Sequence, residues 1–401
     1  MKKFFLVSQV FYPDEVSTAS LFTVLCRQLV IKGIDVEVWA GQPSYTHAKK
    51  WIKDTIFKGI NIKYIFSSNF SKRRMVGRSI NILTYIISAS LKLLFSKEKT
   101  PVFTHTTPPF MGIIISFICK IKKRKFIYII LDIFPEGLIR IGKISRKNPL
   151  AKIWSMLFIR SLKGSDKIIV LGRDMIEYLK CVNPELIKKA IYIPHWQDEN
   201  LLFPSDYNEN NFVLENHLGN KFVVQYSGNM GLWNEMRILG KTVKKNITDV
   251  VFMFIGDGIR KAELLEEFSI QEQDNVILLP FQPSENFNNM INASHVQIVT
   301  MKKGLEGMAV PCKIYGILAA GKPVIALVPD NSEIAYIVKE EDCGFVIKPD
   351  DINGLVQKIK LLKSNAKLRN RMGLNSRKAF EQKYTTKIIA GQYISLISEL
   401  S

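Results

Sequence analysis

The chain has 401 residues, long for one core and comfortable for two domains, and its 47% apolar and 23% charged content is that of a folded globular protein rather than a disordered one. The net charge of +20 is unevenly placed: residues 1–200 hold 33 Lys/Arg against 14 Asp/Glu, while residues 201–401 hold 23 against 22. Such a basic half implies an anionic partner (membrane surface, nucleic acid or phosphorylated substrate) or a solvated face that aids solubility, and five widely spaced cysteines without C-x-x-C indicate neither a zinc site nor a disulfide framework.

The first apolar run breaks at Ser8-Gln9, too early for a signal peptide, so residues 4–10 are predicted as a buried strand and the thiols as reduced in a cytoplasmic protein. A loop follows at residues 12–17. Residues 18–31 are predicted helical, with Leu21, Leu25 and Leu29 on one face, and residues 36–40 form the next strand. This order is a βαβ unit, which implies a parallel sheet with a ligand crevice at strand C-terminal ends. No G-x-G-x-x-G occupies the first loop, so a dinucleotide fingerprint is absent.

Lys72, Arg73, Arg74 and Arg78 lead into residues 80–95, an apolar helix of 16 residues carrying only Lys92. It is shorter than the ~20 residues of a spanning helix. It reads equally as an interfacial helix and as a core helix. A second apolar run, residues 110–119, ends in Lys120, Lys122, Lys123, Arg124 and Lys125. Together the two runs suggest a basic, partly apolar face suited to an anionic bilayer. The strand at 126–131 ends at Asp132, with Glu136 four residues on, where α/β ligands bind. Either carboxylate also suits a helix cap. His105 follows a strand at 102–104 and precedes Pro108-Pro109. Further strands are predicted at 168–171 and 191–196, and the polar, Asn-rich residues 198–219 suit a domain boundary.

A second β-loop-helix pattern then restarts. The strand at 222–226 runs into Ser227-Gly228-Asn229-Met230-Gly231, and the strand at 250–255 runs into Gly256-Asp257-Gly258-Ile259-Arg260-Lys261. Glycines there let a diphosphate approach backbone N–H groups. Strands at 276–280 and 296–300 flank a helix. In residues 304–328, a loop holding Glu306 precedes a helix at 313–320 with Ile314, Ile317 and Leu318 on one face; Gly321 closes it and 324–328 is a buried strand. Gly316 to Lys322 spells G-x-x-x-x-G-K, but Pro323 stands where a P-loop needs Ser or Thr, and the glycine closes a helix rather than opening one. Another helix is predicted from Glu333, a short strand at 343–347, and helix over 351–401.

The run G-L-E-G-M-A-V-P-C-K-I-Y-G-I-L-A-A-G-K-P-V-I-A at 304–326 resembles family 4 of the GT-B glycosyltransferases. The similar branch builds O-antigen, capsule and colanic-acid units and includes fucosamine transferases. Weaker echoes cover nearly the whole chain. The resemblance implies an α/β GT-B fold of two Rossmann-like parallel-sheet domains facing across a cleft. An acceptor domain would span 1–198, with a final helix at about 384–401 packing back on it, and a nucleotide-sugar domain would span 199–383. It implies a glycosyltransferase that moves a sugar from a nucleotide-diphosphate sugar, UDP favoured, to a polyprenyl-diphosphate-linked saccharide, with retention, in lipopolysaccharide or capsule assembly. The enzyme would be peripheral at the inner face of the plasma membrane.

By resemblance, Glu306 contacts the transferred sugar, with Asp132 and Glu136 as further catalytic candidates. The donor falls to Gly228, Asn229, Gly256, Gly258, Arg260, Lys261, Gly307, Met308, Pro311, Lys313 and Tyr315, and the acceptor side to Glu15, Ser17 and His105. The family's ribose-binding glutamate falls on Gly316, and Leu232 stands where an arginine is common. No D-x-D-like cluster stands out, so no metal or other cofactor is expected. The rival readings are a nucleotide-sugar epimerase of the same fold and a basic, non-catalytic binding protein. Nucleic acid is set aside because no helix-turn-helix, RRM or zinc pattern appears.

Overall fold

The apolar runs become parallel strands buried on both faces, as near-continuous Val/Ile/Phe segments require. A computed structural model describes residues 2–43, 51–70, 75–268 and 274–400; Lys72, Arg73 and Arg74 lie outside the described residues. The chain divides into two compact units, Met1–Pro194 with Thr386–Ser401, and His195–Thr385. The first division lies four residues before the expected one at 198, and the second two residues after the expected one at 383.

The first unit runs β1 (Lys3–Ser8), α1 (Ser17–Ile31), β2 (Asp35–Gly41), β3 (Thr55–Phe57), β4 (Ile60–Ile65), α2 (Met75–Phe95), β5 (Val102–His105) and α3 (Met111–Lys122). It continues with β6 (Phe126–Ile130), α4 (Glu136–Arg140), α5 (Pro149–Gly164), β7 (Lys167–Val170), α6 (Arg173–Val182) and β8 (Ala190–Tyr192). Strand order is β3-β4-β2-β1-β5-β6-β7-β8, parallel except for the β3/β4 pair. That hairpin was not predicted. Its signal is Lys58-Gly59, both at positive φ (50° and 81°), the geometry of a tight two-residue β-turn.

The second unit runs α7 (Asn211–Glu215), β9 (Phe222–Ser227), α8 (Arg237–Val243), β10 (Val250–Ile255), α9 (Lys261–Leu265), β11 (Val276–Leu279) and α10 (Phe287–Asn292). Then come β12 (Val296–Thr300), α11 (Lys313–Ala319), β13 (Val324–Leu327), α12 (Glu333–Glu340), β14 (Gly344–Ile347), α13 (Ile352–Ser364) and α14 (Ala366–Lys383). Its six strands are all parallel, in the order β11-β10-β9-β12-β13-β14. The final helix, α15 (Thr386–Leu400), belongs to the first unit, where it packs on α1 and sets Tyr393 edge-on to Phe4 at 6.0 Å.

Both sheets reverse direction of growth once, between β1 and β5 and between β9 and β12. Open α/β sheets bind ligands at such switch points, beyond the strand C-termini. The region predicted helical over 351–401 divides first at Asn365, whose side chain caps α14 by accepting from Leu368 N at 2.9 Å.

Candidate functional site

In the second unit, three loops converge at the switch point. β9 and β10 are paired along their whole length, so the glycine loops that follow them lie side by side. Gly228 N donates to Ile255 O at 2.9 Å, Met230 N to Asp257 O at 2.8 Å, and Arg260 N to Met230 O at 3.0 Å. The contact leaves no room for side chains. A Cβ on Gly256 would lie 2.3 Å from Gly228 O, and one on Gly258 would lie 2.4 Å from Met230 O, with φ of 125° and 153°. Asn229 is exposed at the tip, its carbonyl held by Tyr226 Oη at 2.9 Å and Asn234 Nδ2 at 3.0 Å.

The loop after β12 joins them. Lys302 N donates to Trp233 O at 2.9 Å, and Glu235 N to Thr300 Oγ1 at 3.2 Å. Glu306 sits half-buried in a turn between buried Leu305 and Met308, and Gly307 takes φ 73° to make that turn. Pro311 follows, and its carbonyl accepts from Ile314 N at 3.4 Å. Gly228, Asn229, Gly256, Gly258, Gly307, Met308 and Pro311 therefore share the strand-end side of one sheet with Glu306.

The three expected cations differ sharply. Arg260 is buried; its Nη1 reaches both Glu263 oxygens at 2.6 and 2.8 Å, and its Nε donates to Leu232 O at 3.0 Å. The guanidinium thus stands beside the backbone of Leu232, the position lacking the family arginine, but its charge is already matched. Lys261 lies 3.9 Å from Asp257. Lys313, the first residue of α11, lies over the Tyr226 ring with Nζ 3.6 Å from the centroid. Its stem is half-buried, but Nζ is closed to solvent and has no hydrogen-bond partner among the described residues. Burial lowers its pKa from 10.5 to about 7, with a small opposing effect of Cys312.

Tyr315, expected at the ribose, is fully buried and packs edge-on against Tyr384 at 5.1 Å. That placement gives it a packing role instead. At Gly316 a Cβ would meet Leu202 at 3.3 Å and the Gln197 amide at 3.5 Å, so side chains from the start of this unit fill the place of the family's second glutamate. Sequence reasoning missed Gln197, because only the fold brings it to residue 316. The P-loop-like Lys322 is pinned at the other end of α11, its Nζ donating to Asn292 O at 3.1 Å.

In the first unit, Glu15 and Ser17 are exposed in the loop after β1 and at the start of α1. His105, expected beside them, is fully buried. Thr107 N–H donates to its Nδ1 at 3.3 Å, which leaves Nε2–H to donate to Ser8 Oγ at 2.8 Å, and Ser8 passes its own proton to Val10 O at 2.8 Å. Burial pushes its pKa down to about 3. His105 is therefore a neutral strut that locks β1 to β5, not an acceptor contact. Glu136 is also committed, to Arg146 at 2.6 Å and Arg140 at 3.3 Å.

Asp132 borders a shallow, solvent-open crevice lined by Thr106, Pro109, Phe110, Ile113, Tyr128, Phe134, Trp154 and Phe158. Thr106 Oγ1 accepts from the Leu131 and Asp132 N–H groups at 3.0 and 3.1 Å, which fixes the carboxylate's backbone. Trp154 stacks beside Phe110 at 4.5 Å and Phe134 at 6.1 Å.

The helices around that crevice carry the apolar face expected for α2 and α3, and α5 extends it. α2 buries Tyr85, Ala89 and Leu93 and exposes Val76, Ile80, Leu83, Ile87, Leu91 and Phe95, a stripe at helical spacing. It is both a core helix and an open one. α3 exposes Ile114, Phe117 and Ile121, and α5 exposes Leu150, Ile153 and Met156. The helices pack in sequence, α2 on α3 and α3 on α5. None of the three contains an acidic residue. No helix among the described residues is long and apolar enough to cross a membrane, and no described group of three or more His, Cys, Asp or Glu is placed to hold a metal.

The chain is similar to known proteins over matching regions. Residues 209–379 match the family Glycosyl transferases group 1. WbjE of Pseudomonas aeruginosa, described as a glycosyltransferase, is 26% identical over 285 residues, 70% of each chain. WcaI of Escherichia coli K12, described as a colanic acid biosynthesis glycosyl transferase, is 21% identical over 205 residues, 50% of each. Among solved structures, sucrose-phosphate synthase of Thermosynechococcus elongatus superposes with a TM-score of 0.76 at 14% identity, covering 100% of this chain and 99% of that one. HepE of Anabaena, solved with UDP and glucose, gives 0.74 at 13% identity with 100% of both chains covered. With its glycine loops, acidic turn and two parallel-sheet units, the chain has the GT-B fold, and over residues 209–379 it is similar to the group 1 glycosyltransferases.

Proposed function

We propose that the enzyme transfers a sugar from a uridine-diphosphate sugar to a lipid-linked saccharide at the cytoplasmic surface of a bilayer, in the assembly of a bacterial surface polysaccharide. The observation that carries the donor half is the convergence of three strand-end loops on a switch point that also holds Lys313. Backbone N–H groups and a lysine there stabilise the charge that grows on a departing diphosphate. Glu306, in the same loop set, contacts the transferred sugar. UDP is favoured because HepE, a neighbour in fold, binds UDP. The colanic acid description of WcaI supports the polysaccharide setting.

The acceptor half rests on the first unit. Arg78, Lys92, Lys120, Lys122, Lys152, Arg160 and Lys163 lie on the three helices of the apolar face, with no acid among them. Each basic residue near an anionic bilayer contributes about 1 kcal/mol of attraction. Phe110 and Ile113 at α3, with Trp154 and Phe158 of α5, line the crevice beside Asp132. A lipid-linked sugar arriving along this face meets Asp132 first. By the family resemblance the product keeps the donor's anomeric configuration, which product NMR reads from the anomeric coupling. The deciding experiment incubates the enzyme with UDP-sugars and a polyprenyl-diphosphate saccharide in anionic vesicles. Transfer to lipid is expected. Turnover of donor alone into an epimer would overturn the reading.

A further inference from the structure

We propose that the Lys313 amine rests uncharged and takes up a proton as it receives the donor diphosphate, so that donor binding and protonation are one event. The inference rests on the donor reading given above. Its geometry is independent of that reading. A lysine ammonium carries three donors, and a buried one without partners is costly. A methionine would fill the same space over Tyr226 without that penalty. Here Nζ has no hydrogen-bond partner and makes no ion pair among the described residues.

Among the described residues it has no ion-pair partner, and only the face of the Tyr226 ring favours its charge. From β9 it faces the Tyr226 ring, whose hydroxyl is spent on Asn229 O at 2.9 Å. From the glycine loop it faces Gly228, where a Cβ would come within 3.9 Å of Nζ. From its own turn Cys312 is the titratable group that acts on it, in the direction opposite to burial. The nearby Arg260 and Lys261 are matched by Glu263 and Asp257. What faces the amine is the bare backbone of Gly228, at φ 113°, where an anion can approach closely. A diphosphate placed there supplies the missing negative charge and pulls the amine's pKa from about 7 back toward 10.5. Between those values the free amine is mostly neutral and the bound one is charged, so binding consumes a proton from solvent. Affinity is greatest below pH 7 and falls as pH rises above it.

Calorimetric titration of the full chain with UDP at pH 8, in buffers of different ionisation enthalpy, reads the proton directly. At that pH the UDP phosphate, with a second pKa of about 6, is already ionised. About 0.9 proton per UDP is expected to be taken up, with the Kd rising about tenfold per pH unit from 8 to 9. Lys313→Arg, charged throughout, is expected to bind UDP with no proton uptake and a flat pH profile. Lys313→Met is expected to bind at least tenfold more weakly, with a Tm at or above that of the wild type. Zero proton uptake by the wild type, or undiminished UDP affinity in Lys313→Met, overturns the inference while leaving the donor site standing. Failure of both UDP and GDP to bind would remove the donor reading itself, and this inference with it.

Discussion

The two units share a parallel-sheet plan and differ in what they show to solvent. Nineteen of the twenty-six large apolar side chains exposed among the described residues belong to the first unit. The first 200 residues also carry 33 basic side chains against 14 acidic, while the rest of the chain is nearly balanced. The second unit instead concentrates its unusual features at strand ends: glycines in close contact, an acidic turn and an unpartnered amine. Unlike surfaces on like folds fit the division of labour proposed above, with an apolar anionic partner on one unit and a compact polyanion on the other.

The largest way to break the comparison is to part the two glycine loops. Gly256→Ala puts a Cβ 2.3 Å from Gly228 O at φ 125°. We expect at least a hundredfold loss of transfer and a stability cost of about 1–3 kcal/mol, read by thermal unfolding. Next is Glu306→Ala. An acid that acts on the transferred sugar should cost about 10²–10³ in kcat with Tm nearly unchanged, since the side chain is half-buried in a turn. Unchanged turnover in that variant would remove Glu306 from the site.

The first unit is tested by placing acids on its open apolar stripe. Leu91→Glu with Phe117→Glu, both more than half exposed, should leave the fold intact and weaken co-sedimentation with anionic vesicles at least tenfold. Transfer to a water-soluble acceptor should be unaffected. Loss of both activities together would mean that the face is structural.

The smallest effect is acid sensitivity. Burial holds His195 and His295 at pKa values of about 4, with Arg369 and Lys322 adding to His295, and holds His105 at about 3. Unfolded histidine titrates near 6.5, so the unfolded chain binds more protons below that pH. The stability these neutral histidines contribute is complete above pH 6.5 and is lost as pH falls toward 4. At pH 5 each fully buried histidine costs about 2 kcal/mol. Two of the three lie in the second unit, so its melting transition should fall further on acidification than that of the first.

Much of this plan was legible in the chain. β10 and β12 fall where their apolar runs predict, because a strand buried on both faces declares itself as an unbroken run. The glycine loops follow those strands, so their place at the sheet's edge came with them. The β3/β4 hairpin was hidden because short edge strands carry little apolar signal. α5 was missed as part of the open face, since only packing against α3 shows which of its sides is free. The states of Lys313 and His105 were not readable at all. Each depends on a neighbour far away in sequence: Tyr226 for the lysine, and Ser8 for the histidine.

Hydrogen exchange on the full chain, with UDP and with anionic vesicles added separately, measures the division of labour directly. We expect UDP to slow exchange in residues 227–232, 256–261 and 303–313, and vesicles to slow it in residues 76–95, 111–122 and 149–164. Protection by UDP confined to the first unit, or by vesicles confined to the second, would contradict the account.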